Sequence, residues 1–229
     1  MNPALLIFDM DGVLVDVTRS YREAILATVE QFTGRRLTHE IIQLRKNGGG
    51  FNNDWDLSHA LIREQGGREP ARMPSYDEVV KAFQQLYLGK DHDGLLMNET
   101  WMPSPGVLER LAVRHPFALF TGRLREEAQF ALRRFAPGLT FDPIVGMEDV
   151  ARQKPDPEGL EKIRSRVNQE EMIYVGDSID DGRAASAAGM RFIGVAASGL
   201  PHREELAASF TKGGAAAVIP HVNSLEEVL

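Results

Sequence analysis

The sequence of 229 residues contains no cysteine. Disulfide staples, thiolate nucleophiles and thiolate metal sites are therefore excluded, which suits a reducing compartment, and a cytoplasmic location is expected. Long apolar runs are missing too. The first, Ala4 to Phe8, has five residues, far short of the roughly 20 that span a bilayer. No basic segment precedes it, so neither a signal peptide nor a membrane span is expected. Positive charge is scarce, with 26 Lys and Arg against 33 Asp and Glu and a net charge of -7. A broad nucleic-acid footprint needs clustered cations, so any anionic ligand must be held locally. There is no internal repeat, no low-complexity tract and no Gly-x-x-x-x-Gly-Lys-Ser/Thr phosphate loop. What is present is 43% hydrophobic content, enough for one large domain or one domain carrying a smaller insert.

Short unbroken apolar runs recur and stop at polar residues, the pattern of strands buried on both faces of a parallel sheet. Ala4 to Phe8 stops at Asp9, Phe117 to Phe120 at Thr121, and Met172 to Val175 at Gly176-Asp177; Arg191 to Ala197 and Ala215 to Ile219 are further candidates. Helix starts at Ser104-Pro105 and Asp156-Pro157, and a stop at Gly189, lie between them. Strand alternating with helix from about residue 100 predicts a doubly wound, Rossmann-like α/β sheet.

Residues 17–99 break the alternation and read as all helix. Ser20 with Glu23 forms a candidate capping box, followed by an apolar stripe of Tyr21, Ile25, Val29 and Phe32 that ends at Gly34. Thr38 caps a helix to Lys46, Asn53 caps another to Gln65 before Gly66-Gly67, and Ser75 with Glu78 opens a fourth through Leu88, ended by Gly89. The expected organisation is a discontinuous core of residues 1–16 and 100–229, with an inserted helical cap domain over 17–99.

Asp9 and Asp11 lie at and just past the end of the first strand, where open α/β sheets place ligands. Asp177 and Asp181 hold the equivalent place after a later strand. Four converging carboxylates repel one another unless a hard cation sits among them, and oxygen ligands in that number suit Mg²⁺. Alone, Asp-x-Asp-Gly is equally a turn, Thr121 a helix cap, Lys154 a solvated loop lysine and Arg123 a surface arginine at a helix start.

Taken in order, Phe8-Asp9-Met10-Asp11-Gly12-Val13-Leu14, Thr121-Gly122-Arg123, Lys154 in Gln-Lys-Pro-Asp-Pro, and Gly176-Asp177-Ser178-Ile179-Asp180-Asp181 resemble the four motifs of the haloacid dehalogenase superfamily. The spacing resembles the branch with a helical cap inserted after the first motif. The resemblance implies that Asp9 is a nucleophile forming an aspartyl-phosphate. It implies that Asp11 is the acid/base and binds Mg²⁺ through its backbone carbonyl, that Asp9 and Asp177 are direct ligands, and that Asp181 acts directly or through water. Thr121, Gly122 and Lys154 are then the phosphate-binding set. Asp180 stands where relatives often carry Asn, and is expected to point to solvent.

The implied activity is a Mg²⁺-dependent phosphatase acting on a small phosphorylated metabolite, with no nucleic-acid or membrane partner, as a monomer or homodimer. A mutase of the β-phosphoglucomutase kind would need a cap group such as His59 or Lys46 to activate a hydroxyl. A phosphonatase would need a cap lysine for a Schiff base. The non-enzymatic alternative is a regulatory domain phosphorylated on Asp, but such domains are shorter and place that residue after a middle strand.

The stretch KNGGGFNNDW, residues 46–55, carries three consecutive glycines where one closes a helix. As a dinucleotide fingerprint it fails, since it follows a helix and lacks the third glycine. As an interhelical loop it accounts for Asn53 and Trp55. The surplus glycines suggest close backbone approach to a leaving group, making Lys46, Gly49, Gly50, Asn52, Asn53 and Arg123 the candidates for substrate specificity.

Overall fold

The computed structural model describes residues 3–66 and 73–229. Six parallel strands form one sheet in the order β5-β4-β1-β6-β7-β8: β1 (Leu5–Phe8), β4 (Phe117–Phe120), β5 (Phe141–Val145), β6 (Met172–Gly176), β7 (Arg191–Val195) and β8 (Ala217–Ile219). β1 is central. It pairs Phe8 with Leu119 of β4 on one side and with Val175 of β6 on the other. Its side chains alternate between two cores: Leu6 and Phe8 pack on one face of the sheet, Leu5 and Ile7 on the other. Helices α5 (Val107–Ala112), α6 (Arg125–Phe135), α7 (Glu158–Arg164), α8 (Ile179–Ala187) and α9 (Arg203–Lys212) complete the doubly wound α/β fold.

The helical block contains α1 (Tyr21–Thr33), α2 (His39–Gly48), α3 (Asp54–Gln65) and α4 (Tyr76–Leu88). An antiparallel ribbon of β2 (Val15–Asp16) and β3 (Thr100–Trp101) joins the chain where it leaves the sheet to where it returns. The core on the Phe8 face continues through Val13 and Leu14 into Ile25, Leu57 and Phe83 of the helices, so block and sheet share buried apolar surface. No helix among the described residues is long and apolar enough to cross a membrane.

Several expectations need revision. β5 escapes the sequence reading because Asp142 and Pro143 interrupt its apolar run; Pro is tolerated there because β5 is an edge strand. Ser75 and Glu78 do form a capping box, and the Asn53 side chain accepts the Trp55 amide. Ser20 does not cap α1 with its side chain; its hydroxyl donates instead to Glu99 at 3.2 Å, a partner 79 residues away that no local rule reveals. Gly67, expected beside Gly66 at the end of α3, lies outside the described residues.

Candidate active site

β1, β4 and β6 are adjacent and parallel, so the residues that follow them emerge at one edge of the sheet. The Asp9 amide extends the ladder by donating to the Val175 carbonyl at 2.8 Å. Oxygens of Asp9, Asp177 and Asp181 lie within 4.8 Å of one another. Gly12 makes this possible. It adopts φ +71°, and a Cβ there would fall 1.9 Å from Asp177 Oδ2, so only glycine fits between the first motif and that carboxylate.

Lys154 reaches this cluster from the loop before α7. Its ammonium stands 2.8 Å from Asp181 Oδ1 and 3.1 Å from Asp9 Oδ1, with no side-chain exposure. Burial opposes its charge, but Asp181 and Asp9 overcome that and hold it protonated above the usual lysine range. Asp181 is itself saturated by protein donors. Oδ1 accepts from Lys154 and from the Tyr174 hydroxyl at 2.6 Å, and Oδ2 from the amide and hydroxyl of Ser178. The other two carboxylates lack such compensation. Burial, followed by crowding from Asp181, pushes Asp177 up to about 7. Burial likewise raises Asp9 well above the ordinary carboxylate range despite Lys154. Asp9 and Asp177, hard oxygen donors whose ionised forms are disfavoured by burial and by repulsion from Asp181, fit a small hard dication such as Mg²⁺.

Asp11 faces away from that cluster. Its Oδ1 accepts from Arg123 Nε at 2.6 Å, and Arg123 Nη1 donates to the Tyr87 hydroxyl and to Glu99, both at 3.2 Å. The guanidinium also lies 4.8 Å from the centroid of the Tyr21 ring. Arg123 is therefore no surface arginine: it is 2% exposed and joins the first motif to the chain crossing at Glu99 and to α1 and α4.

A cleft with about 60 Å³ of free space opens over these groups. Asp9, Asp11 and Asp177 line its sheet side, while Lys46, Asn52 and Asn53 line its helical side. Gly122 and Arg123 also border it, and a Cβ on Gly122 would meet Asn52 Nδ2 at 2.8 Å. Thr121, Lys154 and Asp181 lie behind the cleft wall. Thr121 is 1% exposed and its hydroxyl accepts the Arg123 amide at 3.2 Å.

The glycines behave differently from the asparagines. Gly49 and Gly50, both at positive φ, face the sheet domain and not the cleft: the Gly50 amide donates to Asp180 Oδ2 at 2.7 Å, and a Cβ on Gly49 would lie 2.3 Å from Arg183 Nη1. The close approach they permit is to the start of α8. Asp180, expected in solvent, is 2% exposed and is the acceptor of that contact. His59 packs edge-on against Tyr76, outside the cleft.

Lys46 is ion-paired to Asp54 at 2.6 Å; against the opposing effect of burial, Asp54 raises its pKa, which disfavours the neutral amine that a Schiff base requires. Sequence reasoning overlooked Arg22, Gln43, Asp54 and Glu127, which also line the cleft. Helical periodicity offered a signal for Arg22, which sits beside Tyr21 on the buried side of α1, but its charge argued for solvent.

The profile of the haloacid dehalogenase-like hydrolases matches residues 6–195. An imidazoleglycerol-phosphate dehydratase of Phytophthora nicotianae is 35% identical over 195 residues, 83% of this chain, but this chain spans only 42% of that longer protein. A phosphoglycolate phosphatase of Salmonella typhimurium is 28% identical over 82% of this chain and 79% of its own length. Among solved structures, a haloacid dehalogenase-like protein of unknown function from Agrobacterium tumefaciens superposes with a TM-score of 0.73 at 22% identity, covering 99% of this chain and 97% of its own.

Proposed function

This chain belongs to the haloacid dehalogenase-like hydrolase family, and from that premise we propose that it is a Mg²⁺-dependent phosphatase acting on a small phosphate monoester through an aspartyl-phosphate. The observation that carries the reading is the grouping of Asp9, Asp177 and Asp181 around Lys154, with a second carboxyl, Asp11, two residues past Asp9 and turned away from the group.

In the proposed reaction a carboxylate oxygen of Asp9 attacks phosphorus in line with the ester oxygen. The P–O ester bond breaks as Asp11 gives its proton to the departing oxygen. Asp11, now ionised, takes a proton from water, whose oxygen attacks the phosphorus of phospho-Asp9 and releases inorganic phosphate. Arg123 holds Asp11 on the leaving-group side throughout. Lys154 offsets the charge of Asp9 and Asp181, and Thr121 and Gly122 bound the phosphoryl seat. Mg²⁺, held by Asp9, the Asp11 carbonyl and Asp177, would supply positive charge for the phosphoryl oxygens. Asp181 serves that site by fixing Lys154 and Ser178.

The helical block over residues 17–99 is proposed to act as the cap, excluding water and contacting the leaving group through Asn52 and Asn53. A phosphonatase mechanism loses support from the Lys46–Asp54 pair, and a mutase using His59 from that residue's distance from the cleft.

The test is Mg²⁺-dependent release of p-nitrophenol from p-nitrophenyl phosphate by the wild type and by Asp9→Asn. Activity in the wild type with a loss of at least about 10⁴-fold in the variant is expected; no turnover of any phosphate ester by the wild type would sink the reading. Phosphoglycolate, imidazoleglycerol phosphate, pyrophosphate and phosphorylated sugars form the substrate panel.

A further inference from the structure

Three cations at this site, two buried and one half-buried, have anionic partners: Lys154 has Asp9 and Asp181, Arg123 has Asp11 and Glu99, and the half-buried Lys46 has Asp54. A fourth has none. Arg22, the second residue of α1, is 8% exposed and lines the cleft together with Asp9 and Asp177. Its guanidinium makes no hydrogen bond or ion pair with any described residue, although its field reaches Asp177, Lys46 and His39. A guanidinium mostly enclosed by protein, and bordering a cleft without a counter-ion, is left poorly compensated. Such a group is retained where a ligand brings the missing charge.

The position of Arg22 indicates which part of a ligand that is. On the sheet side the proposed phosphoryl seat is already bordered by Gly122, with Lys154 and Thr121 behind it. Arg22 comes from α1 on the helical side, with Lys46 and Gln43 as cleft neighbours, where the leaving group must lie. Its planar fork suits a carboxylate or a phosphate, each of which it can hold by two parallel hydrogen bonds. Asp9 and Arg22 line the same cleft, so one small ligand can present its phosphoryl group to the first and its second anion to the other.

We propose that Arg22 is a specificity-determining residue that binds a second anionic group, a carboxylate or a phosphate, on the leaving group of the substrate. The inference rests on the phosphatase reading above, and the two fail separately. Wild-type turnover of p-nitrophenyl phosphate with Mg²⁺ tests that reading alone. The present proposal is tested by kcat/KM for 2-phosphoglycolate, for its neutral amide and for pyrophosphate, in the wild type, Arg22→Gln and Arg22→Lys.

The wild type should favour at least one of the two anionic substrates over the amide by about 10- to 100-fold, the range of a charged hydrogen-bonded contact. Which of the two it favours distinguishes a carboxylate from a phosphate as the recognised group. Arg22→Gln should bring that ratio to within about threefold of unity whatever its absolute rates, and Arg22→Lys, which keeps the charge without the fork, should lower it part-way. A wild type that hydrolyses the amide as well as both anions, or an Arg22→Gln enzyme that keeps the wild-type ratio, overturns the proposal. Should Arg22→Gln fail to fold, Arg22→Lys decides: a ratio unchanged from wild type is again contrary.

Discussion

At the residue scale, the pairing of Arg123 with Asp11 gives the second motif a purpose that its spelling does not disclose. If Arg123 aims the acid, removing it should matter most where the departing oxygen needs a proton. We expect Arg123→Gln to lower kcat/KM for an alkyl phosphate such as glycerol 2-phosphate by about 100-fold, the range of general acid catalysis. For p-nitrophenyl phosphate, whose leaving group departs without help, the loss should be much smaller; equal losses would argue for a folding role. Lys154 is the opposite case, a residue whose removal is felt by the fold. Lys154→Met strands Asp9 and Asp181, and urea denaturation should show a loss of about 3–5 kcal/mol, the cost of leaving a buried charge unpaired. Asp9, Asp11, Lys154 and Asp177 were legible in the sequence because each sits in a short motif with local spacing. Arg22 was not, because a lone arginine on a helix reads as solvated until its neighbours are known.

At the element scale, the loop between α2 and α3 docks on the start of α8. The Gly50 amide meets an acceptor 130 residues away, and the positive φ of Gly49 and Gly50 lets the backbone come that close. The glycine run, read as a close backbone approach to a leaving group, makes its close approach within the protein to Asp180. No rule of composition could name that partner, since the fourth motif holds three acids, Asp177, Asp180 and Asp181, and which of them meets the loop is decided by the tertiary fold. Asp180→Ala should speed amide hydrogen exchange over residues 47–52 by more than about tenfold, as expected for loss of one charge-assisted hydrogen bond. If the loop closes the cleft, the same change should raise KM more than it lowers kcat. Elements with uninterrupted patterns, such as β1, β4, α3 and α4, were legible in the sequence to within a residue or two. β5 was not, because Pro143 is admissible only at a sheet edge, and which strand forms the edge is a property of the whole sheet.

At the scale of the whole molecule, the proposed reaction would draw its phosphoryl chemistry from the sheet and the wall facing the leaving group from the helical block. The ribbon of β2 and β3 and the cluster of Arg123, Glu99, Tyr87 and Tyr21 lie where the two meet. A cation held by Asp9 and Asp177 would bind the folded chain only, so Mg²⁺ should raise Tm. At a hundredfold excess over Kd the stabilisation is about 2.7 kcal/mol, and Asp177→Asn should abolish most of it. An unchanged Tm in the wild type would count against the cation site.

The central claim is that Asp9 carries the phosphoryl group. Asp11→Asn should still be phosphorylated by p-nitrophenyl phosphate, whose leaving group needs no acid, yet should release phosphate slowly because no base activates water. Acid-quenched peptide mass spectrometry of Asp11→Asn after mixing with p-nitrophenyl phosphate and Mg²⁺ should find one phosphoryl group on Asp9. Phosphate on any other residue, or none while p-nitrophenol is still released, would contradict it.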